Sequence, residues 1–404
     1  MNVILLIAAL FLASLNLRPS ISSVAPLLET IRGELGMSGF AASLLTTLPV
    51  LCMGLFAPSA VRWVARWGTE RSLVIALSLI GGATLLRYFT VLPILLLATS
   101  FLAGVGIAVA GPLLSGFIKK YFAERASAVI GFYSTALVVG AALSAGLSVP
   151  FQEAFGGSWR ASLAAWGWLA AAALPLWLII ARRAEKTAAD GQPAAAAGRQ
   201  HLPLHSPRAW LLTCFFGVVA LIFYSITAWL APAVEAMGYG RAAGGAALTL
   251  FSVIQMPVSL VLPLLIGRFG NRLLWLLLLA ALELTGLLML AFSGNPWIIS
   301  VLLGIGAGGL FPVVLLLPIE ETKHADDASA WSAMTQSGGY VIGSLGPLFI
   351  GMVHDITRSF VQPMLGLAVL VAVMMLLVLK IGNKKKQPEP AAQQGTPKLQ
   401  SAKP

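Results

Sequence analysis

The stretch VILLIAALFLASLNLRPSISSVAPLL, Val3 to Leu28, decides the fold class. It exceeds the roughly 20 apolar residues that a helix needs to cross about 30 Å of hydrocarbon, yet it carries Arg18 near its centre. A guanidinium at membrane depth costs several kcal/mol unless it faces water, a partner or an anion, so it marks a functional position. Pro19 adds to the signal, because it has no backbone N–H and leaves the carbonyl of Leu15 without its helical donor. A bent, polar, cationic midpoint does not belong against lipid.

The rest of the chain repeats that hydrophobic length. Among 404 residues 58% are hydrophobic and 10% charged, and the mean hydropathy is +0.89, which excludes the soluble globular class. Twelve candidate spans are expected, at 3–28, 39–65, 72–90, 93–118, 127–149, 162–181, 209–231, 244–267, 273–293, 297–319, 328–352 and 362–381. Ile4 to Leu15 resembles the apolar core of a signal peptide, but there is no basic segment before it and the hydrophobic run resumes after Arg18, so a retained span is expected.

The net charge of +11 invites a nucleic-acid reading, which the placement of the basic residues opposes. Arg62, Arg66, Arg71, Lys119, Lys120, Arg125, Arg182, Arg183, Lys186, Arg199, Arg208, Arg268, Arg272 and Lys323 fall in connections on one side, as do Lys380, Lys384, Lys385, Lys386, Lys398 and Lys403. Arg32, Arg87, Arg160, Arg241 and Arg358 lie on or near the other side. This positive-inside bias places both termini in the cytoplasm of a bacterial-type inner membrane. The lipid bilayer is the expected partner, no soluble basic face suits nucleic acid, and a monomer is expected. Cys52 and Cys214 both fall inside spans, with no disulfide framework or metal-ligand spacing, and read as packing residues.

The second half of the chain reproduces the first at an offset near 200 residues. Val24-Ala25-Pro26 to Glu29 corresponds to Leu230-Ala231-Pro232 to Glu235, and Ala65-Arg66-Trp67-Gly68 to Gly267-Arg268-Phe269-Gly270. Gly104-Val105-Gly106 with Pro112 corresponds to Gly304-Ile305-Gly306 with Pro312, and Ala126-Ser127-Ala128 to Ala328-Ser329-Ala330. The expected organisation is therefore an all-α integral membrane protein of two pseudo-symmetric six-helix bundles, residues 1–181 and 209–381. A cytoplasmic linker, 182–208, would join them, and a disordered basic tail, 382–404, would follow.

Two parallel six-helix halves form the architecture of rocking transporters, with the substrate site at mid-membrane between the halves. Over its whole length the chain resembles the major facilitator superfamily. Leu15-Asn16-Leu17-Arg18-Pro19, Val24-Ala25-Pro26-Leu27-Leu28, Leu45-Thr46-Thr47-Leu48-Pro49 and Phe117-Ile118-Lys119-Lys120-Tyr121-Phe122 are similar to its cyanate and 2-nitroimidazole transporter group. The resemblance implies that spans 1, 4, 7 and 10 surround a cavity, with 2, 5, 8 and 11 beside them. Two features depart from the superfamily's habits. Ala65 stands where the loop between spans 2 and 3 usually has an acid, although Arg66, Gly68 and Arg71 are retained; and span 5, with Gly140 and Gly146, lacks the Gly-Pro pair of proton-driven drug exporters.

Counting from the span midpoints at about 1.5 Å per residue, Arg18, Tyr224, Gln255 and Tyr340 share one depth. They are the candidate substrate contacts, with Asn16 and Gln336 as further polar candidates. Arg18 supplies a fixed charge and a planar fork for a small anion; its alternative is a structural role on helix-end carbonyls. Tyr224 and Tyr340 either donate hydroxyls or stack on a flat ring, unless they only pack. Gln336 with Ser337, and Ser134 with Thr135, lie about one turn toward the basic side as pathway candidates. Glu283, in the ninth span, is the coupling candidate, carrying a proton or serving as a hydrogen-bonded structural group. Arg66, Gly68, Arg71, Arg268, Gly270 and Arg272 are expected to form cytoplasmic gating loops.

Gly304-Ile305-Gly306-Ala307-Gly308-Gly309 also satisfies a dinucleotide-binding pattern, but no strand precedes it and the run is membrane-embedded. No cofactor, metal or catalytic constellation is expected, and no enzyme. The expected function is alternating-access transport of a small solute, a monovalent anion such as cyanate. The alternative is export of a neutral or weakly acidic heterocycle such as 2-nitroimidazole, and a non-transporting receptor or scaffold is the reading from another class.

Overall fold

Sequence punctuation sets where the helices begin and bend. A computed structural model describes residues 3–37, 39–189 and 202–382; the rest of the expected linker and tail, 190–201 and 383–404, lies outside the described residues. The helices are α1 (Val3–Asn16), α2 (Pro19–Ser22), α3 (Leu28–Leu35), α4 (Gly39–Phe56), α5 (Ser59–Leu86), α6 (Pro93–Phe122), α7 (Ala126–Ala154) and α8 (Trp159–Ala165). They continue as α9 (Trp168–Ala189), α10 (Pro207–Val234), α11 (Gly240–Phe269), α12 (Arg272–Ala291), α13 (Pro296–Glu321), α14 (Ala325–Thr357) and α15 (Val361–Ile381). Proline opens α6, α10 and α13, where its missing N–H costs nothing. Ser206 caps α10 through the N–H of Ala209 at 3.2 Å, and Asn295 caps α13 through those of Trp297 and Ile298.

The twelve crossings follow from the bends. α1 with α2 is the first, and α4 with the start of α5 the second. Gly68, at φ 76° and ψ 168°, turns the chain within α5 into the third. α6 and α7 are the fourth and fifth, α8 with α9 the sixth, and α10 to α15 the seventh to twelfth. Both halves repeat one packing scheme. α1 lies on α7 as α10 lies on α14, α4 and α5 on α6 as α11 and α12 on α13, and α5 on α9 as α12 on α15. Between the halves α7 packs on α11, and α4 on α14.

Burial sorts central helices from lipid-facing ones. In α13, 78% of the membrane-spanning window is buried, against 39% in α12 and α15, so α13 is central and the other two are peripheral. Exposed Leu55, Phe89, Ile94, Trp168, Phe269 and Phe292 supply the apolar outer surface that contact with lipid requires. The hydrogen bonds described between the halves lie at mid-depth or nearer the face that carries the basic connections. Lys119 Nζ donates to the Ile319 carbonyl at 2.9 Å, Ser337 Oγ to the Gly54 carbonyl at 2.5 Å, and the hydroxyls of Thr135 and Ser259 meet at 3.0 Å. The halves are closed together on the basic face.

On the opposite face Glu34 of α3 binds α8: Trp159 Nε1 donates to its Oε2 at 2.6 Å, and Arg160 Nη1 donates to its other oxygen. Arg160 Nε also donates to the Thr90 carbonyl at 2.7 Å. The hydrogen bond from Arg160 holds the Glu34 carboxyl below the usual carboxylate range, against the opposing effect of burial.

Candidate functional site

The first crossing breaks at Leu17-Arg18. The Leu17 N–H reaches back only three residues, to the Ser14 carbonyl at 3.1 Å, and the Arg18 carbonyl restarts the helix by accepting from Ile21 and Ser22 at 3.0 and 2.9 Å. Between these turns Pro19 has no N–H to give, and the Leu15 carbonyl is left facing α7. Gly140 makes room for it there, since a Cβ on Gly140 would lie 2.5 Å from that oxygen. The break is therefore built from two residues, a proline in one helix and a glycine in its neighbour.

Arg18, half-buried, projects from this break across the interface between the halves. Its Nη1 donates to Tyr224 Oη at 3.4 Å, a long bond to α10, and its guanidinium lies 5.7 Å from the centre of the Phe311 ring on α13, within cation–π range. The second half surrounds it with aromatic rings. Tyr224 and Tyr340 are 6.5 Å apart, Phe216 and Tyr340 5.2 Å, Phe223 and Phe311 5.4 Å, and Phe216 and Phe311 6.1 Å. Beside Arg18 is a cavity of about 10 Å³, lined also by Met53, Ile107, Gly111, Tyr133, Gln336 and Tyr340, which is the room of about one water. One half supplies the charge and the other most of the aromatic wall.

Of the residues singled out in the sequence, Arg18, Tyr224, Tyr340 and Gln336 come together here. Gln336 packs on Gly111 of α6, its Oε1 only 2.6 Å from where a Cβ would be. Asn16 turns away: its Nδ2 donates to the Leu12 carbonyl of its own helix at 2.7 Å. Gln255, 4% exposed, likewise donates to the Phe251 carbonyl at 3.1 Å and packs on Gly308 of α13. Glu283, 1% exposed, lies on the inner face of peripheral α12 against Gly306. Of the pathway candidates, Ser337 and Thr135 bind across the interface, as above.

Phe311, Phe216 and Tyr133 were not legible as site residues, because an aromatic side chain in a span reads equally well as packing. Phe311 had one usable signal, its position beside Pro312 in the repeated glycine-proline segment. Arg87 keeps its expected side, at the end of the third crossing, but its side chain turns inward. It is completely buried inside the first half, because the third crossing reaches its last turn there before the chain returns through α6.

The basic-face connections carry the remaining candidates. Arg66 and Arg268 lie 5.1 and 5.8 Å from the rings of Trp67 and Phe269, matching the internal repeat. Gly68 and Gly270 both have positive φ, 76° and 66°. Arg71 pairs with Glu185 of α9. Arg272 pairs with Glu320 at 2.7 Å. The acid missing at Ala65 is supplied five residues on: Glu70 accepts from Lys120 Nζ at 2.6 Å and from Tyr121 Oη at 2.8 Å.

Twelve crossings among the described residues, in two repeated halves with a charged, aromatic-walled site between them, fit a membrane transporter. The sequence profile of the Major Facilitator Superfamily matches residues 6–347, and the chain belongs to that superfamily. It is 32% identical to the uncharacterized transporter YycB of Bacillus subtilis, over 91% of each chain. To the 2-nitroimidazole transporter of Escherichia coli it is 31% identical, over 95% of this chain and 97% of the relative. To the cyanate transport protein CynX of Escherichia coli it is also 31% identical, over 93% and 96%. The fold matches the proton:xylose symporter XylE with a TM-score of 0.75 at 14% identity, covering 94% of this chain and 96% of that one. The protein is a multi-pass membrane transporter of small solutes, not an enzyme.

Proposed function

We propose that this transporter moves a small monovalent anion such as cyanate, with Arg18 as the residue that recognises charge. The observation that carries this reading is the setting of the Arg18 guanidinium. It lies at mid-depth between the halves with a long bond to a neutral tyrosine and a ring face, so an anion entering the cavity gains a charge-assisted partner. Tyr224, Tyr340 and Gln336 would orient the solute. Residues 1–181 and 209–381 would rock as two bodies joined by 182–208, with the contacts at Lys119, Ser337 and Thr135 opening as the basic face opens. Positive-inside charge supports an inner-membrane protein with both termini cytoplasmic, and a monomer is part of the proposal.

The test is uptake of labelled cyanate into proteoliposomes. Arg18→Gln is expected to abolish saturable uptake and Arg18→Lys to retain part of it with a raised KM. Unchanged uptake by Arg18→Gln protein would refute the assignment. The aromatic wall favours a second reading, export of a flat heterocycle, for which one relative is named. It is separated from the first by counterflow: exchange of 2-nitroimidazole that survives Arg18→Gln and is lost in Tyr340→Ala would support stacking over charge.

A further inference from the structure

Arg87 is a fully buried guanidinium of the first half, and no charge answers it among the described residues. The side chain is 0% exposed. Its Nη2 donates to the Ser20 carbonyl at 2.8 Å and, more weakly, to Ser100 Oγ at 3.3 Å. Its Nε and Nη1 have no partner, and no carboxylate among the described residues pairs with it. Ser20, whose carbonyl takes the one strong bond, and Ser23, one turn further along, carry buried hydroxyls that also lack partners. The turn at Arg87–Phe89, α2 and α6 thus meet at a buried cation whose bonded partners are neutral oxygens and whose Nε and Nη1 have none.

An uncompensated guanidinium withdrawn from water is among the costliest arrangements in a folded protein, and leaving several of its N–H groups unbonded adds to the cost. Neutral carbonyl and hydroxyl oxygens answer part of the hydrogen bonding and none of the net charge. A compact monovalent anion answers both, because it accepts from the unfilled guanidinium N–H groups and from serine hydroxyls turned toward it. Larger or flat anions do not suit so enclosed a place. We propose that Arg87, with Ser20, Ser23 and Ser100, holds a halide-sized inorganic anion inside the first half, a site separate from the Arg18 cavity. The anion would neutralise Arg87 while the Arg87 Nη2 holds the Ser20 carbonyl, fixing α2, the segment that follows Arg18. This is a resident ion, not transported cargo, and the inference stands on Arg87 independently of what Arg18 binds.

The test uses the purified full chain in detergent, with chloride exchanged for gluconate at constant ionic strength and thermal unfolding as the readout. A ligand bound only by the folded state raises the midpoint with its concentration. The unaltered protein and the Arg18→Gln variant are expected to gain stability as chloride rises, and Arg87→Gln to lose that dependence. A midpoint insensitive to chloride in the unaltered protein would leave only water at Arg87 and overturn the proposal. So would chloride dependence that persists in Arg87→Gln, or that disappears in Arg18→Gln alone, which would place the ion in the central cavity. Should Arg87→Gln not fold, Arg87→Lys, which keeps the charge without the fork, is expected to raise the half-saturating chloride concentration at least tenfold, and an unchanged value overturns the site. Bromide soaked into crystals of the unaltered protein should give an anomalous peak within hydrogen-bonding distance of the Arg87 nitrogens; its absence there refutes the proposal without any variant.

Discussion

Gly140→Ala tests whether the break that presents Arg18 depends on a glycine in the neighbouring helix. An added Cβ would sit 2.5 Å from the Leu15 oxygen, 3.3 Å from its carbonyl carbon and 3.4 Å from its Cα. All three are backbone atoms, so no rotamer change relieves the clash, and α1 and α7 must separate by several tenths of an ångström. Overpacking of this kind costs about 1–3 kcal/mol, while replacing a helical glycine by alanine returns up to about 1 kcal/mol of propensity. Gly146, two turns along the same helix with nothing within 4 Å of its Cβ position, provides the control. Gly146→Ala has the propensity gain without the clash. The difference between the two variants therefore isolates the steric cost, about 1–3 kcal/mol. In thermal unfolding of the purified proteins Gly146→Ala should match or exceed the unaltered midpoint, and Gly140→Ala should fall below it. Uptake should fall only in Gly140→Ala, because Leu15 lies three residues before Arg18. Equal midpoints and equal uptake for the two variants would show that the α1–α7 approach is compliant and that Arg18 is positioned by something else.

Other perturbations separate neighbouring roles. Tyr224→Phe removes one bond donated by the Arg18 guanidinium, which at 3.4 Å lies at the weak end of the range of about 1.5–3 kcal/mol for hydrogen bonds to charged groups, so KM for solute in proteoliposomes should rise by about tenfold, well short of the loss in Arg18→Gln; a complete loss would make the hydroxyl a direct solute contact. Glu283→Gln should leave both the rate of uptake and its response to an imposed pH gradient unchanged, since this carboxyl packs on α13 and not on the cavity; abolition of the gradient response would make it the proton carrier. The Glu34–Arg160 contact carries a carboxyl whose folded pKa is depressed, so its stabilisation is present above the unfolded value, about 4.3, and is lost as pH falls through the lower folded value. Acidification should therefore destabilise the unaltered protein more than Glu34→Gln, seen as converging thermal midpoints below about pH 4; parallel curves would dismiss the contact as a source of acid sensitivity.

Length, hydropathy and internal repetition made the helical architecture legible, because a bilayer imposes span length and backbone satisfaction on every crossing. The centre of the site was legible for the same reason: a mid-span cation and two mid-span tyrosines stand out against leucine. What failed to show was the direction in which each polar side chain points. Asn16 and Gln255 are as polar as Gln336, yet each bonds a carbonyl one turn back in its own helix, a local solution open to any amide in a helix and invisible to depth counting. The burial of Arg87 did not show either, because a cation at the end of a span ordinarily reaches headgroups. The turn at Arg87–Phe89 directs it inward instead, onto Ser20 of a different helix, a long-range contact that span hydropathy does not encode.

The duplication conserves joints and releases chemistry. Glu70 with Lys120, at 2.6 Å, and Arg272 with Glu320, at 2.7 Å, occupy corresponding places about 200 residues apart, with the charges exchanged. The joint needs a pair, and either order of signs serves. The slot opposite Gly106 is filled by Ile80, with the Ala76 carbonyl beside it; the matching slot opposite Gly306 is filled by Glu283, with the Leu279 carbonyl beside it. Packing there tolerates a branched alkyl group and a carboxyl alike. At mid-depth the same freedom has been put to use, since corresponding positions hold Arg18 in one half and Tyr224 in the other. A site with two facing arginines would repel itself, and a site with two facing tyrosines would offer no charge. Divergence of the halves gives a cation against an aromatic wall; under the anion reading proposed above, this is the one combination of the three that would attract an anion without a second fixed charge and so would let it leave when the opposite face opens.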